Sequence, residues 1–243
     1  MKPVACFALL PLALLLAACA PEPPRQSAEV ESLGMQAVQT HDAAALRRLS
    51  AWAQAPGPFA PLAARELGLA LAADPARHAE ALRWLAQAAH GGDAEAAFTL
   101  GEAYRSGGLG CRHDDVAARR WFERAAEADH PAALLALARA ARNGVGEPRD
   151  MGKAAGLLLR ASRRGSGAAM YLLSQAYAAG EGVPADPAVA RHWLEQAAEQ
   201  HHPAAMQDWA LALEEGRLGV PPDAQAAREQ WREASEERRN RWR

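Results

Sequence analysis

The stretch AMYLLSQAYAAGEGVPADPAVARHWLEQAA, residues 169–198, decides the fold, because variants of it recur along the chain. Its first half places small or apolar residues at positions 0, +4, +5 and +8 from Ala169, which form one stripe of an α-helix. Gly180 follows where that helix should end, since a left-handed residue often closes a helix. Asp186 then suits the N-cap of a second helix. The stretch therefore predicts a helix A, a glycine loop and a helix B.

The same pattern returns every 36 or 37 residues. The small-residue pairs that close helix B begin at Ala88, Ala125, Ala161, Ala197 and Ala234. The expected helix-ending glycines are Gly107, Gly144, Gly180 and Gly216, and the expected capping acids are Asp114, Asp150, Asp186 and Asp223. One such unit cannot bury its own apolar stripe, so the units must stack.

Composition agrees with helices. Alanine, the best helix former, is the main apolar residue, and β-branched residues are scarce. We therefore predict an all-α fold, a right-handed α-solenoid of stacked helix-turn-helix repeats. The formal net charge of −2 gives no reason to expect nucleic acid as a partner. Lys2 and Lys153 are the only lysines, so Schiff-base chemistry and phosphate-binding loops have almost no candidate.

The repeated pattern resembles the Sel-one-like repeat (SLR), a relative of the tetratricopeptide repeat, over residues 63–239. The family unit A-x-x-x-L-G-x-x-Y-x-x-G-x-G-V-x-x-D-x-x-K-A-x-x-W is closely matched from Ala169 to Trp193. The 36-residue period favours this family over the 34-residue tetratricopeptide period. The resemblance implies a protein–protein adaptor without enzymatic activity, whose A helices line a concave binding face.

The amino terminus resembles a bacterial lipoprotein signal. Lys2 precedes an apolar run that ends in Leu16-Ala17-Ala18-Cys19. The resemblance implies cleavage before Cys19 and acylation of that cysteine, with acyl chains such as palmitate as the anchor. Because Ala20 rather than Asp follows, it also implies an outer membrane lipoprotein facing the periplasm if the source is Gram-negative. The alternative is an ordinary secretory peptide cleaved elsewhere, with Cys19 incidental.

We divide the chain into five segments. They are a signal peptide (1–18), a proline-rich tether (19–27), N-terminal tetratricopeptide-like helical pairs (28–93), Sel-one-like repeats with a C-terminal capping helix (94–239), and a basic tail (240–243). Cys6 leaves with the signal peptide and Cys19 is lipidated, so Cys111 remains alone and no intrachain disulfide is expected in the mature chain. Cys111 is expected to be a loop thiol without function, and a redox role or an intermolecular disulfide is the alternative.

No catalytic, metal or cofactor site is predicted. Gly165-Ser166-Gly167 falls at a turn between units, and no G-x-S-x-G sequence occurs. His113-Asp114-Asp115 imitates a metal site, but capping of helix B accounts for it better. His130 and His201-His202 precede prolines that suit a first helical position, and a surface location without function is expected for them.

The predicted binding face consists of helix A positions opposite the packed stripe. These are Thr99, Glu102, Arg105, Arg139, Arg142, Leu172, Gln175, Ala178, Asp208, Leu211 and Glu214. The face would run from basic in the middle to acidic at its end, and a solvated face without a partner is the alternative.

Two hypotheses for function follow. The first is a membrane-anchored lipoprotein scaffold that binds an unidentified protein of the bacterial envelope. The second is a cell-wall-active enzyme, penicillin-binding or β-lactamase-like, as described for cysteine-rich SLR proteins. This chain lacks their recurring cysteine pairs and a serine–lysine motif. A further membrane contact is the basic end, where Arg238, Arg239, Arg241 and Arg243 would meet anionic headgroups, the alternative being a frayed helix end.

Overall fold

The computed structural model describes residues 22–241, and all regular structure in that range is helical. The α-helices are α1 (Ser27–Thr40), α2 (Ala43–Gln54), α3 (Ala60–Ala72), α4 (His78–His90), α5 (Ala94–Ser106), α6 (Asp115–Glu127), α7 (Pro131–Asn143), α8 (Met151–Arg163), α9 (Gly167–Ala179), α10 (Pro187–Glu199), α11 (Pro203–Glu215) and α12 (Ala224–Arg241). Short 3₁₀ turns span Pro75–Arg77 and Arg217–Gly219. The signal segment, Cys19, Arg243 and the side chains of Arg238 and Arg241 lie outside what the structure describes.

The chain divides after Gly91 into two compact units, and the first contains α1 to α4. Helix α3 packs against α1, α2 and α4. Its Gly68 makes the contact with α4 close, because a Cβ there would stand 2.8 Å from the Leu85 side chain. Val30, Leu49, Leu71 and Leu85 form the centre of this core.

The second unit contains α5 to α12 as four helix pairs. Within it α5 packs on α6, α7 on α8, α9 on α10, and α11 on α12, while α6–α7, α8–α9 and α10–α11 contacts join successive pairs. Leu100, Leu134, Leu173 and Met206 are buried among alanines, which let helices approach closely. The predicted all-α fold of stacked helix pairs is confirmed.

The helix ends follow the repeated residues. Gly107, Gly144, Gly180 and Gly216 close their helices with left-handed φ angles of 73°, 70°, 71° and 73°. Asp114, Asp150, Asp186 and Asp223 each accept a hydrogen bond from a backbone N–H in the first turn of the following helix. The predicted glycines at the ends of the A helices and the predicted aspartates at the starts of the B helices are both confirmed.

Candidate functional site

The predicted face lies on α5, α7, α9 and α11, which we call the A-helix face. Of its predicted residues, Arg105, Arg139, Gln175, Ala178 and Glu214 are exposed. Thr99, Glu102, Arg142, Leu172, Asp208 and Leu211 are half-buried. The helical wheel thus placed all of these residues away from the fully buried core.

A cavity of about 600 Å³ opens between α5, α6 and α7, and we call it the α5–α7 cavity. Phe98, Phe122 and Leu135 supply its apolar lining. The Phe98 and Phe122 rings are tilted by 39° with centroids 5.8 Å apart. Of the predicted residues, Glu102, Arg105 and Arg139 line this cavity.

Paired charges surround much of the cavity. The Arg105 guanidinium donates to both carboxylate oxygens of Glu102, at 2.9 and 2.6 Å. The backbone carbonyl of Arg105 accepts from the Nδ1 of His113 at 2.6 Å, and the Nε2 of His113 lies 3.2 Å from Asp115. That carbonyl first, and Asp115 next, raise the pKa of His113, because both stabilise the imidazolium.

Arg119 and Glu147 form a second charged cluster behind the cavity. The Glu147 carboxylate is only 8% exposed, lies 3.5 Å from the Nη1 of Arg119 and pairs with Lys153. The Nε of Arg119 is buried without a hydrogen-bond acceptor in the described range, and so is the Oε1 of Glu147 without a donor. Arg119 lines the cavity with other atoms, while its buried Nε lies 3.9 Å from the Oε1 of Glu123.

Arg139 differs from the other predicted arginines. Arg105 is paired with Glu102, and Arg142 lies 3.2 Å from Glu181. Arg139 has no ion pair or side-chain hydrogen bond with any residue between 22 and 241, and it lines both the α5–α7 cavity and a neighbouring pocket of about 300 Å³. That pocket also contains Arg142 and Leu172, so it connects the predicted residues of α7 and α9.

A third pocket, of about 430 Å³, lies between α9, α10 and α11 and contains Gln175, Ala178 and Asp208. The Tyr171 hydroxyl donates to Asp208 at 2.8 Å. Burial, and then this carboxylate, raise the pKa of Tyr171. Thr99, Leu211 and Glu214 line none of these three pockets, and Glu214 instead accepts from the Trp231 Nε1 at 3.5 Å.

Two histidines have a structural role that the sequence did not reveal. The Nδ1 atoms of His130 and His202 accept from the N–H groups of Ala133 and Ala205, so both residues cap helices. Their rings also stack on Phe98 and Tyr171 of the preceding helix pair, with centroids 4.8 and 4.9 Å apart. An alignment of the repeats could have predicted this role, because Asp93 and Ser166, which are ordinary capping residues, occupy the equivalent position in the other repeats.

Groups suited to chemistry are dispersed. In residues 22–241, no three His, Cys, Asp or Glu side chains come close enough together to hold a metal ion. The Ser166 hydroxyl caps α9. Burial raises the pKa of the half-buried Cys111 thiol, which lowers the thiolate fraction. None of the helices in this range has the length and apolarity needed to cross a bilayer.

Comparison with known proteins adds a family. A family model described as the Sel1 repeat matches residues 62–93, 94–130, 131–166, 167–202 and 203–237. Among curated proteins, none matches this chain significantly.

Two solved structures are similar in fold. A Sel1 repeat protein from Oxalobacter formigenes is 26% identical with a TM-score of 0.74, over 91% of this chain and 92% of that one. A protective antigen from uropathogenic Escherichia coli that displays an SLR fold is 25% identical with a TM-score of 0.72. The alignment with the antigen covers 86% of this chain but 46% of the antigen, so the chain spans less than half of that protein's length.

Proposed function

Because this chain belongs to the Sel1 repeat family, we propose that it is a lipid-anchored scaffold of the bacterial envelope that holds another protein on its A-helix face. Sel1 repeat proteins bind other proteins, and their fold suits a non-enzymatic interaction scaffold. The observation that carries the proposal is the α5–α7 cavity, which combines an apolar lining with a charged rim. Binding sites for protein segments commonly combine these two features.

The side-chain pairing supports binding rather than catalysis. A general base or nucleophile needs a neighbouring group that activates it within hydrogen-bond distance. The cavity's one imidazole, that of His113, has both ring nitrogens engaged within the protein, Nδ1 with the Arg105 carbonyl and Nε2 with Asp115, so neither is directed at a substrate. The arrangement therefore favours recognition of a partner over turnover of a substrate.

The anchor is proposed at Cys19. The Trp52 Nε1 donates to the Glu22 carbonyl at 2.7 Å, so the start of the described chain lies against α2. Glu22 lies three residues after Cys19, and an extended chain spans about 10 Å over that distance. A lipid on Cys19 would thus hold the α1–α4 unit next to the bilayer surface.

Detergent phase separation tests the anchor. The wild-type chain should enter the Triton X-114 phase, and Cys19→Ser should move it to the aqueous phase because the acylated thiol is lost. Cys111→Ser, which removes a thiol that carries no proposed lipid, is the matched control and should leave partitioning unchanged. A Cys19→Ser chain that stays in the detergent phase would contradict lipid anchoring.

Site-specific photocross-linking tests the binding face. A benzophenone amino acid replaces Gln175, exposed on α9, or Val116, which is 45% exposed on α6. In the bacterium that produces the protein, we expect a discrete cross-linked adduct from position 175 and none from position 116. Equal adducts at both positions, or an adduct from Val116 alone, would show that the A-helix face is not the binding surface.

A contact of the basic end with anionic lipid is a separate part of the proposal. The side chain of Arg239 is exposed, and Arg238, Arg241 and Arg243 carry further positive charge in the same terminal sequence. Two non-acylated proteins, Cys19→Ser and Cys19→Ser ending at residue 237, are mixed with vesicles of anionic phospholipid. At low salt, the protein with the basic end should sediment with the vesicles more strongly than the protein that ends at residue 237. Equal sedimentation of the two would contradict a contact between the basic end and anionic lipid.

A further inference from the structure

Building on the proposed function, we propose that the α5–α7 cavity receives an extended acidic segment of the partner, with one bulky apolar side chain in the cavity and a carboxylate about two residues away on Arg139. This names the chemistry of the partner rather than only the face that it occupies.

The apolar half of the segment follows from the cavity's lining. Phe98 and Leu135 are half-buried and Phe122 is buried, so the lining is apolar while still reachable from solvent. The Phe98 ring is held by its stack on His130, whose Nε2 lies 2.9 Å from Glu95. The volume of about 600 Å³ lies in the range of ordinary ligand pockets. A preformed apolar recess of this size fits a large aliphatic or aromatic side chain.

The charge of the segment follows from which groups around the cavity are already neutralised. Glu102 neutralises Arg105, and Asp115 faces His113. Arg139 is left without a counter-ion among the described residues, whereas Arg119 lies 3.9 Å from Glu123 and 3.5 Å from Glu147. A carboxylate of the segment supplies the counter-ion that Arg139 lacks. A basic segment would not.

The spacing follows from the helix that carries both groups. Leu135 and Arg139 are four residues apart on α7, so they lie on one face about 6 Å apart along the helix axis. An extended peptide advances about 3.3 Å per residue, so two residues cover that distance. The pocket at α9–α11 is a poorer place for the carboxylate, because its own carboxylate, Asp208, repels one and is already bonded to Tyr171.

Peptide selection tests the inference without knowledge of the partner. Phage-displayed random dodecapeptides are selected on the full chain in mild detergent micelles. We expect enrichment of sequences that carry a large apolar residue and an acidic residue about two positions away. Enrichment without an acidic preference, or a selection that yields no binding peptide, overturns the proposed chemistry.

A charge reversal then assigns the selected peptide to the cavity. By fluorescence anisotropy, the fluorescein-labelled peptide should bind Arg139→Glu about tenfold more weakly than wild type, and its acid-to-amide version should bind wild type about fivefold more weakly. Arg163→Glu, the same charge change on α8 outside the cavity, is the matched control and should leave affinity unchanged. Ala136→Phe, which narrows the cavity from α7, should also weaken binding while circular dichroism remains that of wild type.

The two proposals fail separately. If cross-linking from position 175 captures a partner while Arg139→Glu leaves peptide affinity within twofold of wild type, the scaffold function stands and the acidic-segment inference is wrong. If the selected acidic peptides bind as described while position 175 yields no adduct in cells, the cavity chemistry stands and the proposal that a partner protein is held across α9 is wrong.

Discussion

Replacing Gly101 by alanine should destabilise the protein, although alanine is the better helix former. A Cβ at this position of α5 would stand 2.4 Å from the Cε1 and 2.5 Å from the Cδ1 of Phe122, about 1 Å inside ordinary contact. Phe122 is only 4% exposed and packs against Phe98, so its ring can give way only by leaving that packing and shifting toward the α5–α7 cavity. Overpacking of this kind costs up to about 3 kcal/mol, and the gain in helix propensity returns about 1 kcal/mol. We expect a net loss of about 2 kcal/mol.

The other repeats suggest the compensating change. At the position of Gly101 they carry Ala138 and Ser174, and at the position of Phe122 they carry Leu158 and Leu194. Phe122→Leu alone should cost about 1 kcal/mol for the lost ring volume. Combined with Gly101→Ala it should restore most of the loss, since the pair then matches the one in the next repeat.

Urea denaturation followed by far-UV circular dichroism measures this cycle. The double variant should be more stable than the sum of the single changes predicts, by at least about 1 kcal/mol. If Gly101→Ala raises stability instead, helix propensity outweighs the contact and the packing argument is wrong. If the two changes are additive, the residues do not contact each other as described.

Three further predictions concern helix ends and charges. In urea denaturation, Gly144→Ala should lower the free energy of unfolding by about 1 kcal/mol, because φ at this position is +70°. Gly156→Ala should raise it by about 1 kcal/mol, because the new Cβ meets no atom within 4 Å and alanine is the better helix former. Changes of the same sign in the two variants would contradict this prediction. NMR titration should give His113 a pKa above its ordinary 6.5, lower again in Asp115→Asn, so its stabilising effect is present below pH 6.5 and lost as pH rises through the raised value. Two arginine side chains lower the pKa of Asp129, so its contribution is present above pH 3.8 and lost on acidification, and Asp129→Asn should flatten the fall in melting temperature between pH 5 and pH 3.

The repeated architecture could be predicted because local chemistry determines it. A glycine such as Gly180 ends a helix through its own backbone conformation, and Asp186 caps the next helix through its own side chain. Neither requires knowledge of distant contacts. The period then fixes which helices pair, since each unit must bury its stripe against the next.

The cavity and its charges were harder to predict because they depend on contacts between repeats. A helical wheel places Arg139 and Arg142 on one face and treats them alike. The α9–α10 loop brings Glu181 to Arg142 and leaves Arg139 without a partner among the described residues. Similarly, His130 was expected only at the surface, because histidine is not a preferred capping residue. Its stack on Phe98 supplies the missing reason for its position.

Hydrogen–deuterium exchange of the full chain, alone and with its captured partner, tests the central claim most directly. Binding on the A-helix face should slow exchange in peptides from α5, α7 and α9, with the largest effect around Leu135 and Arg139. Peptides from the B helices α8 and α10, which do not line the α5–α7 cavity, should change little. Protection confined to α8 and α10, or to residues 22–91, would contradict the account.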